Sequence, residues 1–273
     1  MRLLTAEYPY LLPSTISQDL ILSWRKKLVN VSIKPVTWNN YNRHLKAIYS
    51  FAIKMELLDL KKNPFDGLFV REGKYQKKTF TKFQVSKIIY ALDENITLPK
   101  ILKPHWFISA LIMTLRYTAM RRGQLLKLKI GNVNLDNKTI YIDPEINKNH
   151  DFHIIPISNQ LYPYIEKLVA ELKKKKQPDH AQLFNLNLFS ETTRTKSQNM
   201  TQDQLSYIFR VISKHVNFTV SPHRFRHTAA TQLMQNPENV YVTQKLLGHK
   251  DIKTTLSYIE HDVDMIREYV DML

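Results

Sequence analysis

The 273-residue chain contains no cysteine. No disulfide can brace it, which fits a protein of the reducing cytoplasm. No apolar run approaches the roughly 18 residues that a membrane-spanning helix needs. The opening stretch, Met1 to Gln18, breaks its short apolar run with Glu7, Pro9 and Pro13 and does not read as a signal peptide. A Walker-type glycine-rich phosphate loop is also missing. Acid is scarce: 24 Asp and Glu stand against 40 Lys and Arg, a net charge of +16, and that excess calls for a polyanionic partner. Without a membrane segment, that partner is expected to be nucleic acid. The hydrophobic fraction of 43% supplies real cores for one large or two modest domains.

Residues 1–70 read as a small helical unit. Ile16, Leu20, Trp24 and Leu28 recur at helical spacing, and after Lys34-Pro35 a second apolar stripe runs through Tyr41, Leu45, Ile48, Ala52 and Met55. The face assigned opposite to it carries Asn39, Asn40, Asn42, Arg43, His44 and Lys46. Singly these are solvated residues; together they are what a DNA groove or backbone accepts. Asn63-Pro64 and Asp66-Gly67 close the unit. The basic segment 71–79, REGKYQKKT, reads as a linker, and Thr81 with Gln84 is a capping-box signal that opens the next helix.

From Trp106 to Tyr117 the sequence is apolar on nearly all sides, as in a helix at a domain centre. Arg121 follows at a bend, and an arginine beside such a run is costly unless it meets an anion or an acid. Val133 to Leu135, a turn at Asp136-Asn137, and Thr139 to Ile142 signal strands. Phe152, Ile154 and Ile157 mark another, leaving Lys148 in the hairpin tip. Ser158 is expected to cap a helix with Leu161, Ile165, Leu168 and Leu172, and Thr201 with Gln204 to open one buried through Leu205, Ile208, Phe209 and Ile212. The fold expected is mainly α with a small antiparallel β-sheet.

The densest chemistry lies between Ser221 and Tyr258. Ser221 and Pro222 are a good N-cap and first helical residue, which places His223 in the first turn and Arg226 on the same face. Asn236-Pro237 ends this helix, and Gly248 is a C-cap glycine with His249 just beyond it. Arginine offers a planar fork to phosphate oxygens, histidine moves protons near neutral pH, and tyrosine is a covalent nucleophile. Tyr258 is one of 14 tyrosines, so its residue type alone assigns it no role. His223 and His227 have the i, i+4 spacing of a metal pair, but arginines lie between them and no acid or cysteine completes a set.

HRFRHTAAT, then LLGH, then a tyrosine nine residues on after Thr-Thr resembles the C-terminal signature of the tyrosine recombinases, the phage integrase family. Thr118 to Leu125 resembles that family's Thr-Gly-x-Arg-x-x-Glu-Leu motif, with Ala119 for the glycine and Gln124 for the glutamate. The resemblance implies an N-terminal core-binding domain at 1–70, the linker at 71–79, and an α+β catalytic domain at 80–273 that ends in a tail helix. It implies that Arg121 and Arg226 hold the phosphate, that Tyr258 attacks it, that His223 and His249 serve it, and that Lys148 protonates the departing 5′ oxygen. Two guanidiniums then do the electrostatic work, so neither a metal nor a nucleotide cofactor is expected. The implied partners are double-stranded DNA and further copies of the chain, as a tetramer on paired sites. The tail stripe Ile266, Tyr269, Val270 and Leu273 would either fold back or dock on a neighbour. With only a short leader before the helical unit, a simple recombinase is expected. The competing readings are a type IB topoisomerase-like enzyme and a DNA-binding protein whose catalysis has decayed.

Overall fold

A computed structural model describes the chain apart from residue 1 and residues 30, 74–77, 94–98, 148–150, 191–196 and 259–273. It divides into two compact units, Met1–Gln76 and Lys77–Leu273.

The first unit holds helices α1 (Arg2–Glu7), α2 (Gln18–Leu28) and α3 (Pro35–Lys54). Ser17 caps α2 by accepting from the Leu20 amide, and Pro35 opens α3. Trp24 meets Trp38 edge-on at 5.3 Å, and Tyr49 meets Phe65 at 5.0 Å. The expected face of α3 is corrected here. Its buried residues are Trp38, Asn39, Asn42, Leu45 and Tyr49, whereas Ile48 and Met55 are more than half exposed. Asn39 is inside because the extended segment after α3 needs hydrogen-bond partners. Its amide donates to the Val70 carbonyl and accepts from the Val70 amide, both at 2.8 Å, as a neighbouring strand would. Trp38 Nε1 donates to the Leu68 carbonyl at 2.8 Å. Asn40, Arg43 and His44 remain on the solvent side.

The second unit opens with α4 (Lys82–Tyr90), whose Thr81/Gln84 capping box is complete. Helix α5 (His105–Thr118) is buried on most of its surface, including Phe107, Leu111 and Leu115, and packs against α7 (Tyr162–Lys174) and α9 (Pro222–Leu233). Between them come α6 (Arg122–Lys127), a sheet of β1 (Val133–Asn134), β2 (Thr139–Ile142) and β3 (His153–Pro156), and α8 (Gln202–Val216). The strands run antiparallel in the order β1-β2-β3. Helices α10 (Val240–Leu247) and α11 (Ile252–Leu256) follow α9. The architecture is mainly helical with a small antiparallel sheet. Two local expectations shift. Ser158 accepts from the Leu161 amide at 3.3 Å but closes a turn before α7 rather than capping it. Phe152 and Ile154 point outward, at 58% and 48% exposure, while Ile155 and Ile157 are buried. The period of two along the strand therefore turns His153 inward with Ile155. No helix among the described residues is long and apolar enough to cross a membrane.

Candidate active site

Five chain segments meet at one place in the second unit. The first is the end of α5. Ala119 takes a left-handed conformation, φ 52°, and stops the helix. Two residues on, Arg121 occupies the N-cap position of α6, its amide donating to Gln124 Oε1 at 2.8 Å. Its Nη1 is buried with no hydrogen-bond partner among the described residues.

The second is α9. Ser221 caps it, accepting from the Arg224 amide. His223 in the first turn is exposed, whereas Arg226, one turn on, is 5% exposed. Arg226 donates from Nη1 to the Ala119 carbonyl at 2.9 Å and from Nη2 to the Leu247 carbonyl at 2.8 Å. Both carbonyls are freed by helix ends, so one guanidinium ties α5 to α10. Its neighbour Arg224 has a structural role, donating to the Thr79 and Thr219 carbonyls and lying 4.3 Å from the Phe80 ring.

The third segment is the α10–α11 turn. Gly248 ends α10 at φ 59°, a backbone that glycine adopts without cost. That turn puts His249 Nε2 3.0 Å from Arg226 Nη2. A guanidinium only donates, so Nε2 accepts and the ring proton lies on Nδ1, which reaches Thr255 Oγ1 at 2.9 Å. Fourth, Tyr258 follows α11. It is 6% exposed and stacks on His249 with 6.2 Å between ring centres. His227 is 5.5 Å from Tyr258 and 4.1 Å from His223, ring centre to ring centre. The fifth is β3, through His153.

The electrostatics follow from burial. Neither Arg121 nor Arg226 is paired with a carboxylate among the described residues, whose ion pairs are Lys27–Glu7, Lys46–Asp66, Lys174–Glu171 and Lys250–Asp151. Burial first, then repulsion from Arg121, lowers the Arg226 pKa to about 10, with Tyr258 opposing. The group is still a cation at neutral pH, so the site holds two positive charges that lack a counter-charge among the described residues. Burial raises the Tyr258 pKa, and the two arginines pull against it. A cleft of about 440 Å³ opens beside these groups, lined by Arg121, Arg122, Ser221, His223 and Arg226. Arg121 and Arg226 on its wall suit it to a small anion, and the Tyr258 phenol interacts with both of them.

Of the residues singled out in the sequence, Arg121, Arg226, His249 and Tyr258 are gathered here, with His223 at the cleft. Lys148 lies outside the described residues. Just before it, Asn147, 3% exposed, donates to the Asp151 carbonyl at 2.9 Å. Among the described residues no group of three His, Cys, Asp or Glu could hold a metal ion. Sequence reasoning passed over His153 and Thr255. The strand period signals the first, once Ile155 and Ile157 are taken as the inward set.

The sequence model of the phage integrase family matches residues 78–265. A putative tyrosine recombinase XerC of Pseudomonas aeruginosa is 33% identical over 267 residues, covering 93% of this chain and 62% of the relative. A second, from Pseudomonas syringae, is 33% identical over 265 residues, covering 94% and 55%. The chain thus spans little more than half the length of these relatives. Among solved structures, the Tn1549 transposon integrase in complex with circular intermediate DNA superposes with a TM-score of 0.70 at 22% identity, covering 94% of this chain and 85% of that one. The XerH recombinase bound to its difH substrate superposes at 0.64 and 19% identity, covering 93% and 70%. At these identities the likeness is one of fold.

Proposed function

The chain belongs to the phage integrase family, and from that premise we propose that it is a site-specific recombinase that cuts and rejoins DNA strands through a phosphotyrosine at Tyr258. The observation that carries the proposal is the meeting of Tyr258 with two arginines, Arg226 buried and Arg121 half-buried, that no described carboxylate neutralises. A phosphodiester resists attack because it is anionic and its alkoxide leaves poorly. Arg121 and Arg226 bind the non-bridging oxygens and stabilise the charge that builds on them in the transition state. Tyr258 Oη attacks phosphorus, and the phenol proton passes to His223 or to the phosphate. The bond to the 5′ oxygen breaks, and Lys148 supplies the proton that this oxygen takes up. The products are a 3′-phosphotyrosine and a free 5′ hydroxyl, so the bond energy is kept for the hydroxyl of a partner strand, and neither a metal nor a nucleotide is spent.

His249 has a defined task in this scheme. Its Nε2 accepts from Arg226. To donate to a phosphate oxygen it must carry a proton on Nε2, and an arriving phosphate that draws Arg226 toward itself frees that nitrogen. In the first unit Asn40, Arg43 and His44 are the solvent-facing residues that suit DNA. Further copies of the chain on paired DNA sites complete the assembly as a tetramer.

The test is a suicide duplex carrying the protein's own site. The wild-type chain is expected to accumulate a covalent adduct that survives denaturation and forms in EDTA. Tyr258→Phe is expected to bind the duplex normally and to form none. An adduct with Tyr258→Phe places the nucleophile elsewhere, and loss of activity in EDTA restores a metal.

A further inference from the structure

The β2–β3 hairpin touches the α10–α11 turn at two points. Asp151, just before β3, pairs with Lys250 at 3.2 Å. His153, the first residue of β3, presses its ring on Gly248: a Cβ built on that glycine would lie 3.3 Å from Nδ1 and 3.4 Å from Cε1. The Lys245 backbone, in the last turn of α10, also faces the ring without completing a sound hydrogen bond, and both ring nitrogens are shut off from solvent. These contacts bracket His249 on both sides. The same turn supplies Leu247, whose carbonyl holds Arg226. Ala119, at the end of α5, anchors the other arm of that guanidinium, so His153 rests on the turn that supplies the second half of its seat.

We propose that His153 is a positioning residue of the phosphate site: its ring, with the Asp151–Lys250 pair, seats the Leu247–His249 turn so that the Leu247 carbonyl and His249 Nε2 both reach Arg226. It acts through its neighbours and touches no reacting atom. This rests on the recombinase reading above. The inference also gives two reasons for glycine at position 248: φ is positive, and a Cβ there would crowd the ring and push it back by a few tenths of an ångström.

The experiment uses the full chain and single-turnover cleavage of the suicide duplex at saturating DNA. If the wild type forms no adduct, the recombinase reading has failed, and that outcome is distinct from any seen with the variants. His153→Ala is expected to slow cleavage roughly ten-fold while DNA affinity changes by less than about two-fold, because a small misplacement of a charged fork costs rate more than binding. Gly248→Ala slows cleavage on its own, through backbone strain and the lost seat. His153→Ala combined with Gly248→Ala is expected to be no slower than Gly248→Ala, since the added Cβ has already pushed the ring off its seat. Multiplied defects in the double variant, or a His153→Ala rate within about two-fold of wild type, overturn the proposal. Should His153→Ala lose its cooperative thermal transition, His153→Phe keeps the ring: cleavage within about three-fold of wild type supports the seat, and a ten-fold loss in this folded variant overturns it.

Discussion

The α9–α11 region and helix α3 both bury polar side chains, and they do so to opposite ends. Arg226 enters the interior to collect two helix-end carbonyls and still leaves a cation unbalanced by any described carboxylate. Asn39 enters to complete a backbone, and its hydrogen-bonding capacity is directed at Val70 and Glu72. A buried polar group whose partners satisfy it is architecture. A buried charge left uncompensated is a place where a ligand is expected.

The largest effect expected from this contrast is at Arg226. Arg226→Lys keeps the charge and loses the planar fork, so it cannot hold the Ala119 and Leu247 carbonyls together. Covalent adduct formation is expected to fall by about 10²–10³-fold, the scale for losing an oriented donor at a developing charge. A lysine variant that cleaves at the wild-type rate would make the fork irrelevant and turn Arg226 into architecture like Asn39.

Next in size is Asn39→Ala. It removes both bonds to Val70 and leaves a part-buried amide and carbonyl unpaired, at a cost of about 2–3 kcal/mol in the stability of the first unit, measured by urea unfolding. Asn40→Ala, on the exposed side, is expected to change stability by less than about 0.5 kcal/mol. Equal effects from the two substitutions would mean that the Val70 contacts contribute nothing.

The same contrast explains what could be read in advance. Caps are local signals, so Thr81 with Gln84, Thr201 with Gln204, Ser221 and Gly248 mark their helix ends from the sequence alone. The apolar run through α5 announces a central helix in the same way. Asn39 was misplaced because its partner lies at Val70, and periodicity carries no information about such a distant backbone group. Taking Ile48 and Met55 as inward then displaced the stripe around the helix. The approach of Arg121 to Arg226 is long-range too, and only the family resemblance made it legible. Lys148 and the tail stripe fall outside the described residues.

Asn42 is the case between these two classes. It is 1% exposed, and neither its Nδ2 nor its Oδ1 has a partner among the described residues. If it is architecture, it is poor architecture: each orphaned group costs about 1–3 kcal/mol, and an apolar residue of similar size escapes that cost. Asn42→Leu is therefore expected to leave the first unit as stable or to stabilise it by about 1 kcal/mol, read from the urea midpoint. Marked destabilisation would show that the amide is satisfied in solution.

The smallest effect is a proton. Burial is the main cause that lowers the His153 pKa, and Arg226 and Arg121 add to it against the Lys245 backbone. The folded chain therefore takes up a proton at His153 less readily than the unfolded chain, whose histidines titrate near about 6.5. Above that pH both states are neutral at this residue and stability is unaffected. As pH falls below it, the unfolded chain binds the proton first and stability drops, until the folded-state pKa is passed. Thermal midpoints compared at about pH 7.5 and about pH 5.5 should fall more for wild type than for His153→Phe, which has nothing to protonate there. The difference reports on the two arginines as well as on the ring. DNA bound at the site brings a negative charge to those arginines, so it should narrow the gap between wild type and variant. A gap that DNA leaves untouched would place His153 outside the field of the phosphate site and reduce it to packing.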